Sequence, residues 1–133
     1  MNDLVISGKR KTAVAKATIK PGNGNVTINK RPINFFPFMQ QLEINEPLLI
    51  AKEILGEPTY DIQIRVTGGG INSRIEAARL AIARAILKFT KEDKLKLAYV
   101  AYDRNILVAD TRRKEAYKPG DSKARAHRQT SYR

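Results

Sequence analysis

The sequence predicts an α+β domain, a mixed four-stranded β-sheet with helices packed on one face, followed by an extended basic C-terminal tail. Three observations lead there. Residues 60–67 alternate apolar and polar side chains with a period of two. Residues 71–89 repeat apolar side chains every three or four positions. From Thr111 onward the chain has no Val, Ile, Leu, Phe or Met, so that segment cannot bury a core of its own. The body is therefore assigned to residues 1–110 and the arm to 111–133.

The elements follow in order. Residues 4–20 read as one extended segment, with Ala13, Ala15, Ala17 and Ile19 on one face. Pro21-Gly22-Asn23-Gly24-Asn25 is a dense turn signal, and Val26 to Asn29 alternates after it. The two stretches are expected to pair as a hairpin, which Pro32 ends. Residues 33–42 hold Phe35, Phe36, Phe38 and Met39 around Pro37, which predicts an irregular turn and a short helix, packed rather than solvated. Glu46 to Leu55 predicts a helix with Pro47 in its first turn and Gly56 at its end. Tyr60 to Thr67 is the clearest strand, with Tyr60, Ile62, Ile64 and Val66 facing one way. Gly68-Gly69-Gly70 then leads into the clearest helix. Its stripe is Ile71, Ile75, Ala78, Ile82, Ile86 and Phe89, with Arg74, Arg84 and Lys88 opposite. Asn72 or Ser73 is the expected cap. Residues 91–102 predict a further helix that buries Leu95, Ala98, Tyr99 and Tyr102. Ile106 to Val108 reads as a short last strand. The expected order is β-β-α-β-α-α-β.

Composition narrows the function. A chain of 133 residues with 42% hydrophobic side chains builds a core without covalent staples. No cysteine and a single histidine, His127, leave no thiolate or multi-histidine metal site, and no cofactor is expected. No apolar leader opens the chain, and its apolar runs, such as Pro47 to Ala51, fall far short of the roughly 20 residues of a membrane span. A cytoplasmic protein with no membrane partner and no homo-oligomer is expected. The net charge is +12, which points to a polyanion, nucleic acid first. Residues 1–110 carry 17 basic and 11 acidic side chains, and residues 111–133 carry eight and two. A sixth of the chain therefore holds half of the net charge.

Enzyme motifs are tested and fail. Ser7 to Thr12 (SGKRKT) fails twice as a phosphate-binding loop, because Arg10 follows Gly8-Lys9 where Ser or Thr is needed and position 3 is Asp where glycine is needed. Gly68 to Gly70 lacks dinucleotide-loop spacing. A tight strand-to-helix turn explains these glycines, and their bare amides beside Arg74 could also receive an RNA phosphate. Glu76 and Arg79 read as a helical i,i+3 pair. No general acid/base pair is singled out, so no enzyme is expected. The basic clusters are Lys9, Arg10 and Lys11 near the N-terminus and an arm ladder of Arg112, Arg113, Lys114, Lys118, Lys123, Arg125, Arg128 and Arg133. The cations near the N-terminus also suit a charge-guarded edge strand.

GKRKTAVAKATIKPGNG, VTGGGINSRIEAARLAIARAIL and DTRRKEAYKPGDSKARAHRQTSYR together closely resemble the ribosomal protein S-nine family over the full length. The ending Ser131-Tyr132-Arg133 resembles the archaeal or eukaryotic pattern, and the lack of cysteine favours an archaeon. Thr111 departs from the family, which would place Pro before the arginines. The resemblance implies a fold like the second domain of ribosomal protein S-five, with a left-handed β-α-β crossover against the usual rule. It implies a structural protein of the small ribosomal subunit that supports translation. The body would bind the 3′ major domain of the rRNA in the head, beside other small-subunit proteins. The arm would run toward the peptidyl-site tRNA anticodon stem-loop. By position, Arg133 would contact tRNA, with Arg128, Gln129, Ser131 and Tyr132 behind it. Arg112, Arg113, Lys114, Lys118, Lys123 and Arg125 would line the rRNA path. Lys9, Arg10, Lys11, Gly69, Gly70 and Arg74 are body-side rRNA candidates, chosen from charge and loop position. Charge alone would equally suit a free nucleic-acid chaperone or DNA-compacting protein, and an RNA-modifying enzyme is a third reading with no residue behind it.

Overall fold

A computed structural model describes residues 3–117 of the chain. Among these residues the order is β1 (Leu4–Arg10), β2 (Ala13–Pro21), β3 (Val26–Ile28), β4 (Arg31–Pro32), α1 (Phe38–Leu55), β5 (Tyr60–Thr67), α2 (Ile71–Thr90) and α3 (Asp93–Tyr102). Single 3-10 turns stand at Ile33–Phe35 and Arg104–Ile106. The strands form one mixed sheet in the order β1-β2-β5-β3-β4. The α+β class is as expected, with five strands rather than four and a different pairing.

The stretch read as one extended segment is a hairpin of its own. β1 runs antiparallel to β2, from Leu4 opposite Ile19 to Arg10 opposite Ala13. The chain turns at Lys11, which takes a left-handed φ of 51°. No glycine or proline marks this turn in the sequence. The expected hairpin between residues 4–20 and 26–29 does not form. β2 instead pairs antiparallel with β5, and β3 pairs parallel with the other side of β5. The reason lies in Asp61, whose carboxylate accepts the N–H groups of Asn23, Gly24 and Asn25 at 2.9, 3.0 and 2.9 Å. The loop 22–25 is thereby wrapped over the start of β5 and delivers β3 beyond it. Gly22 permits that wrapping, because a Cβ there would sit 2.2 Å from the Asp61 carboxylate. Asn29 and Lys30, at φ 50° and 67°, then turn the chain tightly into β4, so Pro32 lies in an edge strand instead of ending one.

α2 lies across β1, β2 and β5, α1 packs beside α2, and α3 packs against α1. The inward faces of the strands supply Ile6, Ala13, Ala15, Ala17, Ile19, Ile62, Ile64 and Val66 to the core, and α2 supplies Ile75, Ala78, Ile82 and Ile86. Small residues on β2 and α2 let the helix approach the sheet closely. Ile71 lies outside the stripe predicted for it, 68% exposed in the first turn. That helix is capped by the Gly70 backbone, with no side-chain bond from Asn72 or Ser73.

α1 starts eight residues earlier than expected, after Pro37, and contains Pro47 in its interior. The Pro47 carbonyl accepts the buried Tyr99 hydroxyl of α3 at 2.8 Å, so the proline stands where two helices lock together. α1 buries Ile44, Pro47 and Ala51. Phe35, Phe38 and Met39, expected to be packed, are exposed because they lie on the 3-10 turn and on the outer side of the first turn of α1. Tyr102 is exposed as well, at the C-terminal end of α3. The apolar run Ile106–Val108 forms no strand. Asp103 accepts the Asn105 N–H at 3.0 Å and closes a 3-10 turn, which buries Ile106 alone of the three.

Candidate nucleic-acid interface

Three body-side elements meet at one end of the sheet. The end of β1 carries Lys9 and Arg10, and the turn after it carries Lys11. The glycine turn after β5 lies directly on it. A Cβ at Gly68 would stand 2.6 Å from the Thr12 carbonyl, and one at Gly69 would stand 2.8 Å from the Ala13 Cβ. Both glycines also hold left-handed φ angles, 75° and 67°. Arg74, in the first turn of α2, donates its Nε to the Gly68 carbonyl at 2.9 Å and fixes this turn. Of the sequence-predicted body residues Lys9, Arg10, Lys11, Gly69, Gly70 and Arg74, the glycines and Arg74 thus form one turn, and it lies against Thr12 and Ala13 beside Lys11. Gly70 has open space where a side chain would project.

The third element is the root of the arm. Asp110 accepts the backbone N–H of Arg112 at 2.9 Å and its guanidinium at 2.7–3.1 Å. The Arg112 guanidinium, with the Arg112 amide, holds the Asp110 carboxyl down to about 2. Arg10 reaches the same carboxylate at 3.4 Å and bonds Glu76 of α2 at 2.6 Å. The Arg10 side chain is only 13% exposed, turned under the sheet between two acids. Lys9 and Lys11, its neighbours, are exposed and have no ion pair among the described residues. Strand alternation sends Lys9 and Arg10 to opposite faces, and the turn leaves Lys11 exposed, so the three cations divide into one internal tether and two outward charges.

Beyond the root, Arg113 and Lys114 are exposed, and the Lys114 ammonium stands 4.6 Å from the centre of the Tyr117 ring. Lys118, Lys123, Arg125, Arg128, Gln129, Ser131, Tyr132 and Arg133 lie outside the described residues.

Next to this end, α2 spends its cations on structure. Arg79 does not pair with Glu76. It binds Glu46 of α1 at 2.5 Å and Asp103 at 3.5 Å, joining three elements. Arg84 donates to the Leu107 carbonyl at 2.9 Å and to Ser7 on the edge strand at 3.2 Å. Partial burial, then the nearby Glu76 and Glu46, push the Glu43 carboxyl up. Glu43, Glu46, Glu76, Asp103 and Asp110 line one open pocket together with Arg10, Arg79 and Arg112.

The sequence reading missed the outer face of the sheet. Lys16 on β2 stands opposite Arg65 on β5 and opposite Ser7 on β1. Val5, Thr18, Gln63 and Thr27 form the adjoining row. Lys9 and Lys30 add charge at the two margins. The alternation of each strand was visible, but the partnership of Lys16 with Arg65 depends on the β2–β5 register.

A family model described as Ribosomal protein S9/S16 matches residues 8–133. The small ribosomal subunit protein uS9 of Methanococcus vannielii is 44% identical to this chain over 129 residues, covering 95% of each. The uS9 of Methanococcus maripaludis strain C5 is 44% identical over the same span and share.

Proposed function

The chain belongs to the ribosomal protein S9/S16 family, in its archaeal type, and on that premise we propose where it sits and what it touches. It is a structural, non-enzymatic protein of the small ribosomal subunit, with rRNA and other ribosomal proteins as its partners. The body binds small-subunit rRNA in the head, through Lys9, Lys11, Gly69, Gly70 and Arg74 at one end of the sheet. Arg10 serves that end by holding the root of the arm. The arm runs along rRNA through Arg112, Arg113, Lys114, Lys118, Lys123 and Arg125. Its last residues, Arg128, Gln129, Ser131, Tyr132 and Arg133, meet the peptidyl-site tRNA at the anticodon stem-loop. The β3–α1–β5 unit, whose strands are parallel, is where the family's left-handed crossover belongs.

The observation that carries this reading is the family match across residues 8–133, with half of the net charge in its last 23 residues. The alternative of a free chaperone or DNA-compacting protein has only the charge in its favour. Phosphate contacts fix position without reading sequence, so the tRNA contact acts on retention and not on codon choice. An Arg133→Ala variant reconstituted into small subunits should release peptidyl-site tRNA faster, by the same factor on every codon tested. Unchanged release rates would remove Arg133 from the tRNA contact, and a codon-dependent change would contradict a phosphate contact.

A further inference from the structure

The outer face of the sheet carries two like charges directly across from one another, Lys16 on β2 and Arg65 on β5. Such a cross-strand pair is unfavourable by itself. Both side chains are exposed, and neither has an ion pair among the described residues. The carboxylates at that face are already engaged. Asp3 binds Lys20 at 3.2 Å, and Asp61 is held by three backbone N–H groups. The face otherwise carries hydroxyls and an amide, from Ser7, Thr18, Thr27 and Gln63, with the exposed Val5 beside Thr18, and holds no aromatic side chain among the described residues.

We infer that this face is a second RNA-docking surface, separate from the arm, and that its ligand is the sugar–phosphate backbone of paired RNA. The chemistry selects that ligand. Single strands are gripped by stacking bases on aromatic platforms, which this sheet lacks. Paired RNA presents phosphates and 2′-hydroxyls, which suit cations flanked by hydroxyl and amide groups. A phosphate between Lys16 and Arg65 removes their repulsion. Lys9 and Lys30 continue the contact to either side. The assignment rests on the ribosomal reading for its biological target, and the binding chemistry stands without it.

The test compares the full-length chain with a Lys16→Gln/Arg65→Gln variant. A Lys94→Gln/Lys96→Gln variant on α3 loses the same charge elsewhere. Each is titrated over a range of potassium chloride against a mixed-sequence RNA duplex and an unstructured polyuridine strand. The sheet variant should bind the duplex more weakly, with a salt slope shallower by about two, and lose less on polyuridine. The helix variant should keep the slope. The melting temperature of the sheet variant should equal or exceed that of the parent, since a like-charge pair is gone. Equal losses in both variants would reduce the effect to net charge and overturn the proposal. Equal losses on duplex and single strand would overturn it too. So would unchanged duplex binding in a variant that no longer enters the small subunit, which would make the face a protein contact. If the parent fails to join the subunit while the duplex result holds, the ribosomal reading falls and this surface stands.

Discussion

Gly8 shows how closely the body is built around single residues. It sits opposite Ala15 in the β1–β2 ladder, and a Cβ there would stand 2.6 Å from the Ala77 carbonyl and 2.7 Å from the Ala81 amide of α2. Both atoms are helix backbone and cannot swing away. A Gly8→Ala substitution should therefore cost about 1–3 kcal/mol by overpacking. Gly70→Ala meets nothing within 4 Å and should cost only the preference of an N-cap for Gly over Ala, about 1 kcal/mol or less. Thermal melting of both variants checks this, and equal melting temperatures would contradict the close strand–helix contact. Residue-scale legibility was uneven for a physical reason. The glycine turn was readable because glycine is required at left-handed angles, as Gly68 and Gly69 show. Lys11 takes a left-handed φ without being glycine, so its turn left no mark in the sequence. The split of Lys9 and Arg10 follows from alternation, but the acids that receive Arg10 come from α2 and from the arm root, 66 and 100 positions away.

Among the elements, β5 and α2 were legible because each shows one strong period, two for the strand and about 3.6 for the helix. α1 was half legible. Pro47 suggested a first helical turn, yet the helix tolerates it internally, buried and bonded through its carbonyl to Tyr99. The last predicted strand failed because three apolar residues cannot distinguish a strand from a 3-10 turn that buries one of them. Sheet order was not legible at all, since it depends on the Asp61 carboxylate capturing the loop before β3. At this scale Asp110 joins the body to the arm. Its carboxyl is held down to about 2, first by the Arg112 side chain. The unfolded carboxyl, near its ordinary value of about 4, takes up a proton before the folded one does as the pH falls. The stability it contributes is complete above about pH 4 and lost as the pH falls through about 2. The difference in melting temperature between the parent and Asp110→Asn, present at pH 7, should shrink across that window. A difference that is constant from pH 7 to pH 2 would show that the carboxylate charge is not what holds the root.

At the scale of the whole molecule, charge is distributed by task. Buried and half-buried arginines, Arg10, Arg79 and Arg84, tie elements together, whereas Lys9, Lys11, Lys16, Lys30 and Arg65 stand exposed without an ion pair among the described residues. The net charge points to a polyanionic partner, and the division of charge after Asp110 sets residues 111–133 apart. Eight arm cations that neutralise phosphates give a salt slope of binding on the order of −6 to −7. A chain ending at Asp110 should lose that share and keep what the body supplies. The outer sheet face was hidden until the register brought Lys16 and Arg65 together. The central claim is that this chain is held in the small ribosomal subunit by its body and extended by its arm. Co-sedimentation with small subunits through a high-salt sucrose gradient, comparing the full chain with the Asp110 truncation, tests it most directly. The account predicts near one full-length copy per subunit, with the truncation also retained and its release shifted to lower salt. A full-length chain that washes off and spreads over bulk RNA and DNA would contradict it.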